Sequence, residues 1–254
     1  MKDQGTVQQF KMMKDAATDK YTLADITSIG KKRKADRVSS LFDHFLPNLP
    51  GSAKVLEIGP GRGEFARGCL GRKLSYLGVE PSEELCKILE RASIPVISQT
   101  VPPIKLESNS FDLIHSSDFV EHLANYVDVM HFFVEALRVL KPGGYISIIA
   151  PNYLTIKHLF FRYEYQHSYI TTRDRLINLV RDCGFETVQS KCFLWWLSPR
   201  LNRIDRLLAH TVIPLATNPF MESLITLVTS EKFLFRVHKN VCDHVGILAQ
   251  KPAK

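Results

Sequence analysis

The chain has too few cysteines, and the wrong spacing, for a disulfide framework or a cysteine zinc site. Its five, Cys69, Cys86, Cys183, Cys192 and Cys242, are odd in number, widely separated and without a CxxC pair, so a reducing, cytoplasmic setting is expected. Long hydrophobic runs are missing too: charges or prolines interrupt every apolar window before it reaches the ~20 residues of a membrane span. Met1 to Phe10 are polar and lack the basic-then-apolar pattern of a secretory signal. There is no internal repeat and no low-complexity tract, which sets aside repeat architectures. Neither sign of charge dominates strongly. The 33 Lys+Arg against 26 Asp+Glu leave +7, and part of that excess is one cluster, Lys31-Lys32-Arg33-Lys34, read as a solvated helix start. No aromatic-rich platform accompanies it, so no nucleic-acid partner is expected.

What is present is enough apolar material for a large core. With 45% hydrophobic and 23% charged residues in 254, the composition is that of one folded domain. Residues 1–30 are polar and without a clear period, and read as an N-terminal arm ahead of a domain spanning 31–254. Val38, Leu41, Phe42, Phe45 and Leu46 have helical spacing in a helix from Lys31 to Leu46.

Strands then alternate with helices. Strands are expected at Val55–Ile58, Ser75–Val79, Val96–Ile97, Phe111–His115 and Tyr145–Ala150, with helices at Glu64–Leu70, Glu83–Ala92 and Val127–Leu140. This order predicts an α/β fold with a doubly wound, mostly parallel sheet and right-handed crossovers, whose ligand lies beyond the carboxyl ends of the strands. Past Pro151 the alternation stops, in an aromatic stretch that includes Tyr153, Tyr163, Tyr165 and Tyr169. A helix from Thr171 to Cys183, stopped by Gly184, leads to strand character over Phe185–Trp196, and a last strand covers Val245–Gln250. Residues 198–240, between what read as two antiparallel edge strands, form a helical insertion or lid. Its apolar residues, with Arg200, Arg203 and Arg206 three apart, permit a peripheral membrane contact or a homodimer contact, beside ordinary packing on the sheet.

The chemistry centres on Val55-Leu56-Glu57-Ile58-Gly59-Pro60-Gly61-Arg62-Gly63-Glu64-Phe65. A glycine turn between strand and helix lets backbone N–H groups face an anion, either a pyrophosphate or a carboxylate on an amino-acid-bearing cofactor. Glu57 would repel the first and meet an ammonium group of the second. Glu80, ending the second strand, is placed to accept ribose hydroxyls, a device that dinucleotide enzymes share.

The series VLEIGPGRGEF, LGVEPS, SFDLIHSSDFVEHL and LKPGGYISI resembles the motif series of class I S-adenosylmethionine-dependent methyltransferases, of the type 11 and type 23 kind, over roughly residues 50–190. The resemblance implies a seven-stranded Rossmann-like sheet. It implies S-adenosyl-L-methionine as cofactor, with S-adenosyl-L-homocysteine as product. Glu57, Gly59, Gly61 and Gly63 would surround the methionine part, Glu80 would hold the ribose, and Pro81 and Ser82 would flank ribose and adenine. Ser116 and Ser117 would lie near the methionine and methyl ends. The family usually offers an acidic residue to the adenine amino group, but Gln99 and Thr100 stand at that place here.

Methyl transfer from a sulfonium requires alignment and exclusion of water and no metal, so no metal site is expected. A hydroxyl acceptor gains from a general base. His167 is the candidate, because in related methyltransferases a histidine often precedes the segment leading to a GF pair, here Gly184-Phe185. His122 stands where related proteins carry the second residue of an EH pair, while His115 and Asp112 read as structural. Tyr153, Tyr163 and Tyr165 are candidates for walling an acceptor pocket. The acceptor reads as a small molecule, a glycan or a lipid-linked intermediate, methylated at oxygen. A nucleic-acid substrate is not expected, because no N/D-P-P-Y tetrad follows the fourth strand. The rival readings are an NAD(P)-dependent oxidoreductase and a non-catalytic S-adenosylmethionine-binding module.

Overall fold

The computed structural model describes residues 28–157, 159–162, 166–194, 218 and 243–253. The expectations for residues 1–27, for Tyr163 and Tyr165, and for the 198–240 insertion apart from Asn218 lie outside them. The first described helix, α1 (Ser28–His44), starts before the predicted Lys31, so the basic cluster lies inside it and the arm ends earlier than expected. Next come β1 (Lys54–Ile58), α2 (Glu64–Gly71), β2 (Ser75–Glu80), α3 (Glu83–Arg91) and β3 (Val96–Ser98). They are followed by β4 (Phe111–Ser117), a 3₁₀ turn (Val120–His122), α4 (Tyr126–Val139) and β5 (Leu140–Pro151). The aromatic stretch contains two single-turn helices, α5 (Tyr153–Ile156) and α6 (Leu159–Arg162), ahead of α7 (Arg173–Asp182), β6 (Glu186–Leu194) and β7 (Asp243–Gln250).

Local chemistry sets several boundaries. The Asn125 side chain accepts the N–H groups of Val127 and Asp128 at 2.8 and 3.1 Å and starts α4. Thr172 caps α7 in the same manner, and Gly184, at φ +94°, turns the chain after it.

The seven strands form one sheet in the order β3-β2-β1-β4-β5-β7-β6. β1 pairs in parallel with β2 and β4, and β4 with β5, whereas β7 runs antiparallel to both β5 and β6. The expectation of two antiparallel edge strands is thus corrected: β6 is an edge, but β7 is interior and closes hydrogen bonds on both sides. That position suits the sequence of β7, buried from His244 to Ala249.

Side chains of alternate register go to opposite faces. On one face Val55, Leu113 and Leu248 pack under α1 and α2 through Val38, Leu41, Phe65, Ala66 and Cys69. On the other, Ile58, Ile114 and Ile148 meet α4 and α7 through Phe132, Phe133, Leu176 and Val180. Full burial of Phe132 and of Phe133 contributes ~1.5–3 kcal/mol each. The strand order reverses between β1 and β4, and sheets of this kind receive ligands in the crevice that such a reversal opens at the carboxyl ends of the strands.

Candidate active site

The turn after β1 carries Gly59, Gly61 and Gly63 at φ +74°, +53° and +76°, a region that other residues enter only with strain. Gly63 is doubly constrained, because a Cβ there would lie 2.7 Å from Ile94 Cδ1 and 2.8 Å from Leu89 Cδ2. At Gly61 a Cβ would meet nothing within 4 Å. That glycine is needed for its backbone angle and for leaving open the space in front of the amino end of α2.

Glu80 ties the second strand to this turn. It is buried, with one oxygen accepting the Gly61 N–H at 3.3 Å and the other the Ser82 N–H at 3.0 Å. Burial raises its pKa, and the two N–H groups oppose that rise. Ser82 caps α3 by accepting the Leu85 N–H at 3.3 Å, so its hydroxyl has a structural duty of its own. Beyond lies a cleft of about 290 Å³ lined by Pro81, Glu83, Ser98, Gln99, Thr100 and Lys105. The Gln99 amide nitrogen donates to the Pro103 carbonyl at 2.8 Å, and its side-chain oxygen is an acceptor.

Glu57 is more deeply placed than a strand-end carboxylate. It is 4% exposed and accepts the Tyr76 hydroxyl at 2.5 Å. Burial pushes its pKa up to about 8, against the hydrogen bond from Tyr76. Burial and the Glu57 charge drive the Tyr76 phenol far upward, so it stays a donor. Across the register, Glu57 stands beside His115 and His115 beside Ser147. His115 stacks on Phe65 with ring centroids 3.9 Å apart, lies 3.1 Å through Nδ1 from Ser147 Oγ, and is held neutral by burial, with a pKa of about 3. A row of buried polar groups therefore runs beneath α2, and His115 belongs to it as a packed residue, as the sequence suggested. Asp112 is structural as well: it accepts Lys141 Nζ at 2.7 Å and the Lys54 N–H at 2.8 Å.

Ser116, on the opposite face, has a buried hydroxyl with no hydrogen-bond partner among the described residues. Next to it, the Ser117 hydroxyl donates to Asp118 at 3.4 Å, and Asp118 lies 3.1 Å from His244 Nε2.

Two segments distant in the chain meet near the carboxyl end of β4. The Ser168 and Tyr169 N–H groups donate to the Glu121 carbonyl at 2.8 and 3.0 Å, fastening the loop before α7 to the 3₁₀ turn after β4. This brings His167 to His122, with ring centroids 4.9 Å apart. His167 lies with Nδ1 2.6 Å from the Phe160 carbonyl. A carbonyl only accepts, so Nδ1 carries a proton, and in the neutral ring the lone pair would be on Nε2. Tyr153 packs edge-on against Phe160 and Phe161 in a small apolar cluster.

A family model described as Methyltransferase domain matches residues 30–190, more than half of the chain. The chain belongs to this methyltransferase domain family. Two curated relatives agree: Probable methyltransferase PMT22 of Arabidopsis thaliana, 31% identical over 97 residues, and an uncharacterized methyltransferase of Mycobacterium bovis, 31% identical over 105. The matches take in 37% and 40% of this chain but 16% and 41% of those proteins, so the chain spans less than half the length of either relative. Among solved structures, a SAM-dependent methyltransferase from Archaeoglobus fulgidus superposes with a TM-score of 0.60 at 22% identity, covering 87% of this chain and 94% of that one. That likeness supports the fold.

The family's cofactor is S-adenosylmethionine, and the residues present fit it. Open space at Gly61, the buried Ser116 hydroxyl without a partner among the described residues and the buried Glu57 and Glu80 carboxylates are groups of the kind that a carboxylate, an ammonium and a ribose would need. The glycine turn, Glu57 and Glu80 were named from the sequence, and the structure brings them together at one end of the sheet. Tyr76, His244 and Glu121 were missed. Tyr76 had a weak signal, as the one phenol in the strand Ser75-Tyr76-Leu77-Gly78-Val79; Glu121 stood in the EH pair without being singled out, and His244, which reaches Asp118 across a long sequence separation, had no signal.

Proposed function

We propose that this domain transfers a methyl group from S-adenosylmethionine to an oxygen of a small-molecule, glycan or lipid-linked acceptor. In this reading Gly59, Gly61, Gly63 and Glu57 hold the methionine end and Glu80 the ribose. Pro81, Ser82, Gln99 and Thr100 bound the nucleoside, and Ser116 and Ser117 stand nearest the methyl. When bound, the cofactor supplies an electrophilic methyl on a sulfonium, so the chain's own task is to seat the acceptor in line, exclude water and take up a proton. His167 Nε2 is the group for that proton. The acceptor oxygen gives its proton to the imidazole and forms the bond to carbon, and the electron pair of the broken carbon–sulfur bond remains on sulfur.

The observation that carries the oxygen reading is the hydrogen bond from His167 Nδ1 to the Phe160 carbonyl, which presents a basic nitrogen beside the end of β4. An amine acceptor, already nucleophilic when neutral, has less need of it. The test is His167→Ala, assayed by S-adenosylhomocysteine release over panels of hydroxyl, amine and thiol acceptors, with cofactor affinity by calorimetry. A fall in turnover of ~10²–10⁴ with unchanged cofactor affinity is expected for hydroxyl acceptors; equal loss of both assigns His167 to folding. Residues 198–240, with Arg200, Arg203 and Arg206, are the candidate acceptor lid. Cosedimentation with anionic vesicles separates a membrane role for that segment from an internal one. Among the described residues no helix is long and apolar enough to cross a membrane.

A further inference from the structure

Glu121, His122 and His167 each offer a ligand atom, and these atoms lie within 4.8 Å of one another. We propose that they form a site for a divalent transition-metal cation, with two imidazoles and one carboxylate as ligands, at the acceptor end of the active site. No local signal marks it in the chain, since His167 is remote from the adjacent Glu121-His122 pair, and the chemistry of methyl transfer led to no metal being expected.

Three observations support the site. First, the ligand set is of the N,N,O kind that suits Zn²⁺, Co²⁺ or Mn²⁺, and leaves one or more positions open. Second, one ring nitrogen of His167, Nδ1, lies on the Phe160 carbonyl, the kind of backbone contact that fixes the tautomer of a metal-bound histidine and makes Nε2 the nitrogen that would ligate. Third, the scaffold is rigid where the ligands attach. Val120 and Glu121 are buried, and two backbone bonds from Ser168 and Tyr169 to the Glu121 carbonyl hold the two segments together. A cation at ~2.0–2.2 Å from each ligand needs a slightly tighter set than the one seen; His122 is the exposed member of the three.

Such a site also gives a role to the open coordination position. It would bind the acceptor oxygen and lower its proton affinity, as a bound cation does for water; in the metal-bound state His167 would be a ligand and the proton would leave to solvent, whereas in the metal-free state the same nitrogen is the base proposed above. This role rests on the oxygen-acceptor reading; the binding of metal does not.

The test is a titration of chelator-treated full-length protein with Co²⁺, read by visible absorption, with Zn²⁺ as competitor. The series includes wild type, Glu121→Gln, His122→Ala and His167→Ala, each checked for fold by S-adenosylmethionine calorimetry. One equivalent of Co²⁺ displaced by Zn²⁺ is expected, with affinity lowered in each histidine variant by more than the ~10–100-fold that even an outer-shell change costs. Absence of a Co²⁺ band, or equal affinity in wild type and His122→Ala, overturns the site; His122 is exposed, so that variant keeps its fold. Metal binding lost in the variants together with metal-independent transfer to a hydroxyl acceptor establishes the site and removes the role assigned to it.

Discussion

Replacing Glu57 by Gln separates what this carboxylate costs the empty fold from what it does for the cofactor. The ordinary glutamate value is 4.5 and burial raises it to about 8 in the folded protein. Between these values the folded state holds a proton that the unfolded state has lost, so stability is greatest below pH 4.5 and falls as pH rises toward 8. The slope approaches ~1.4 kcal/mol per pH unit. Taken from pH 6 to pH 8, where the folded group is half ionised, the loss from this group is ~2 kcal/mol. A Gln keeps the acceptor for the Tyr76 hydroxyl and carries no charge, so it abolishes that loss. Urea unfolding of both proteins without cofactor, at pH 6 and pH 8, reads the difference, and groups common to both cancel. The Gln variant is expected to gain ~2 kcal/mol on wild type over this interval while its cofactor affinity falls ~10–100-fold, the loss of a charge-assisted hydrogen bond. Calorimetry in buffers of different ionisation enthalpy adds a second reading. If the cofactor ammonium meets Glu57, binding at pH 7 releases close to one proton in wild type and none in the variant. Parallel pH profiles for the two proteins would refute the buried, proton-holding Glu57.

Three further outcomes are expected. Ser116→Ala removes a buried hydroxyl that lacks a partner, so unfolding of the empty protein is expected to be unchanged or up to ~1–3 kcal/mol harder while cofactor affinity falls; clear destabilisation would place an internal partner on that hydroxyl. Gly63→Ala meets both a left-handed angle and two side-chain methyl groups under 3 Å away. It is expected to lower stability by ~1–3 kcal/mol in chemical denaturation and to weaken the cofactor. Phe133→Ala, in the fully buried pair on α4, is expected to cost ~3–5 kcal/mol in the same assay and to leave cofactor affinity unchanged at temperatures where the protein is folded.

The two halves of the site differ in how far the sequence alone reveals them, and the reason is physical. The proposed cofactor half is made of strand ends and the turns that follow them, so each residue assigned to it has a local signature. Gly61 and Gly63 are required by backbone angles, and Glu57 and Glu80 stand out as charges at the ends of apolar strands. The order of the strands in a doubly wound sheet then brings these turns to one edge without further information. What the sequence could not show is the depth of Glu57, because its partner Tyr76 belongs to the neighbouring strand and its burial depends on α2 lying above both. The interior place of β7 was hidden for a similar reason, since a strand's own pattern does not say which neighbours it takes.

The acceptor half has no such local code. Glu121 and His122 sit on a single 3₁₀ turn, His167 on a loop before α7, and nothing in either segment's periodicity points to the other. Their meeting depends on two hydrogen bonds to one carbonyl, that of Glu121. A backbone acceptor makes that link independent of side-chain identity at residues 168 and 169, so substitutions at Ser168 are expected to leave the histidine pair in place, whereas proline there removes the N–H and separates it. Ser168→Ala and Ser168→Pro, compared by Co²⁺ affinity and by S-adenosylmethionine affinity, test that view of the assembly. Ala should preserve both, and Pro should lower the first while sparing the second. Loss of cofactor binding in the Pro variant would show that the two halves are built as one unit and that the loop before α7 supports the glycine turn as well.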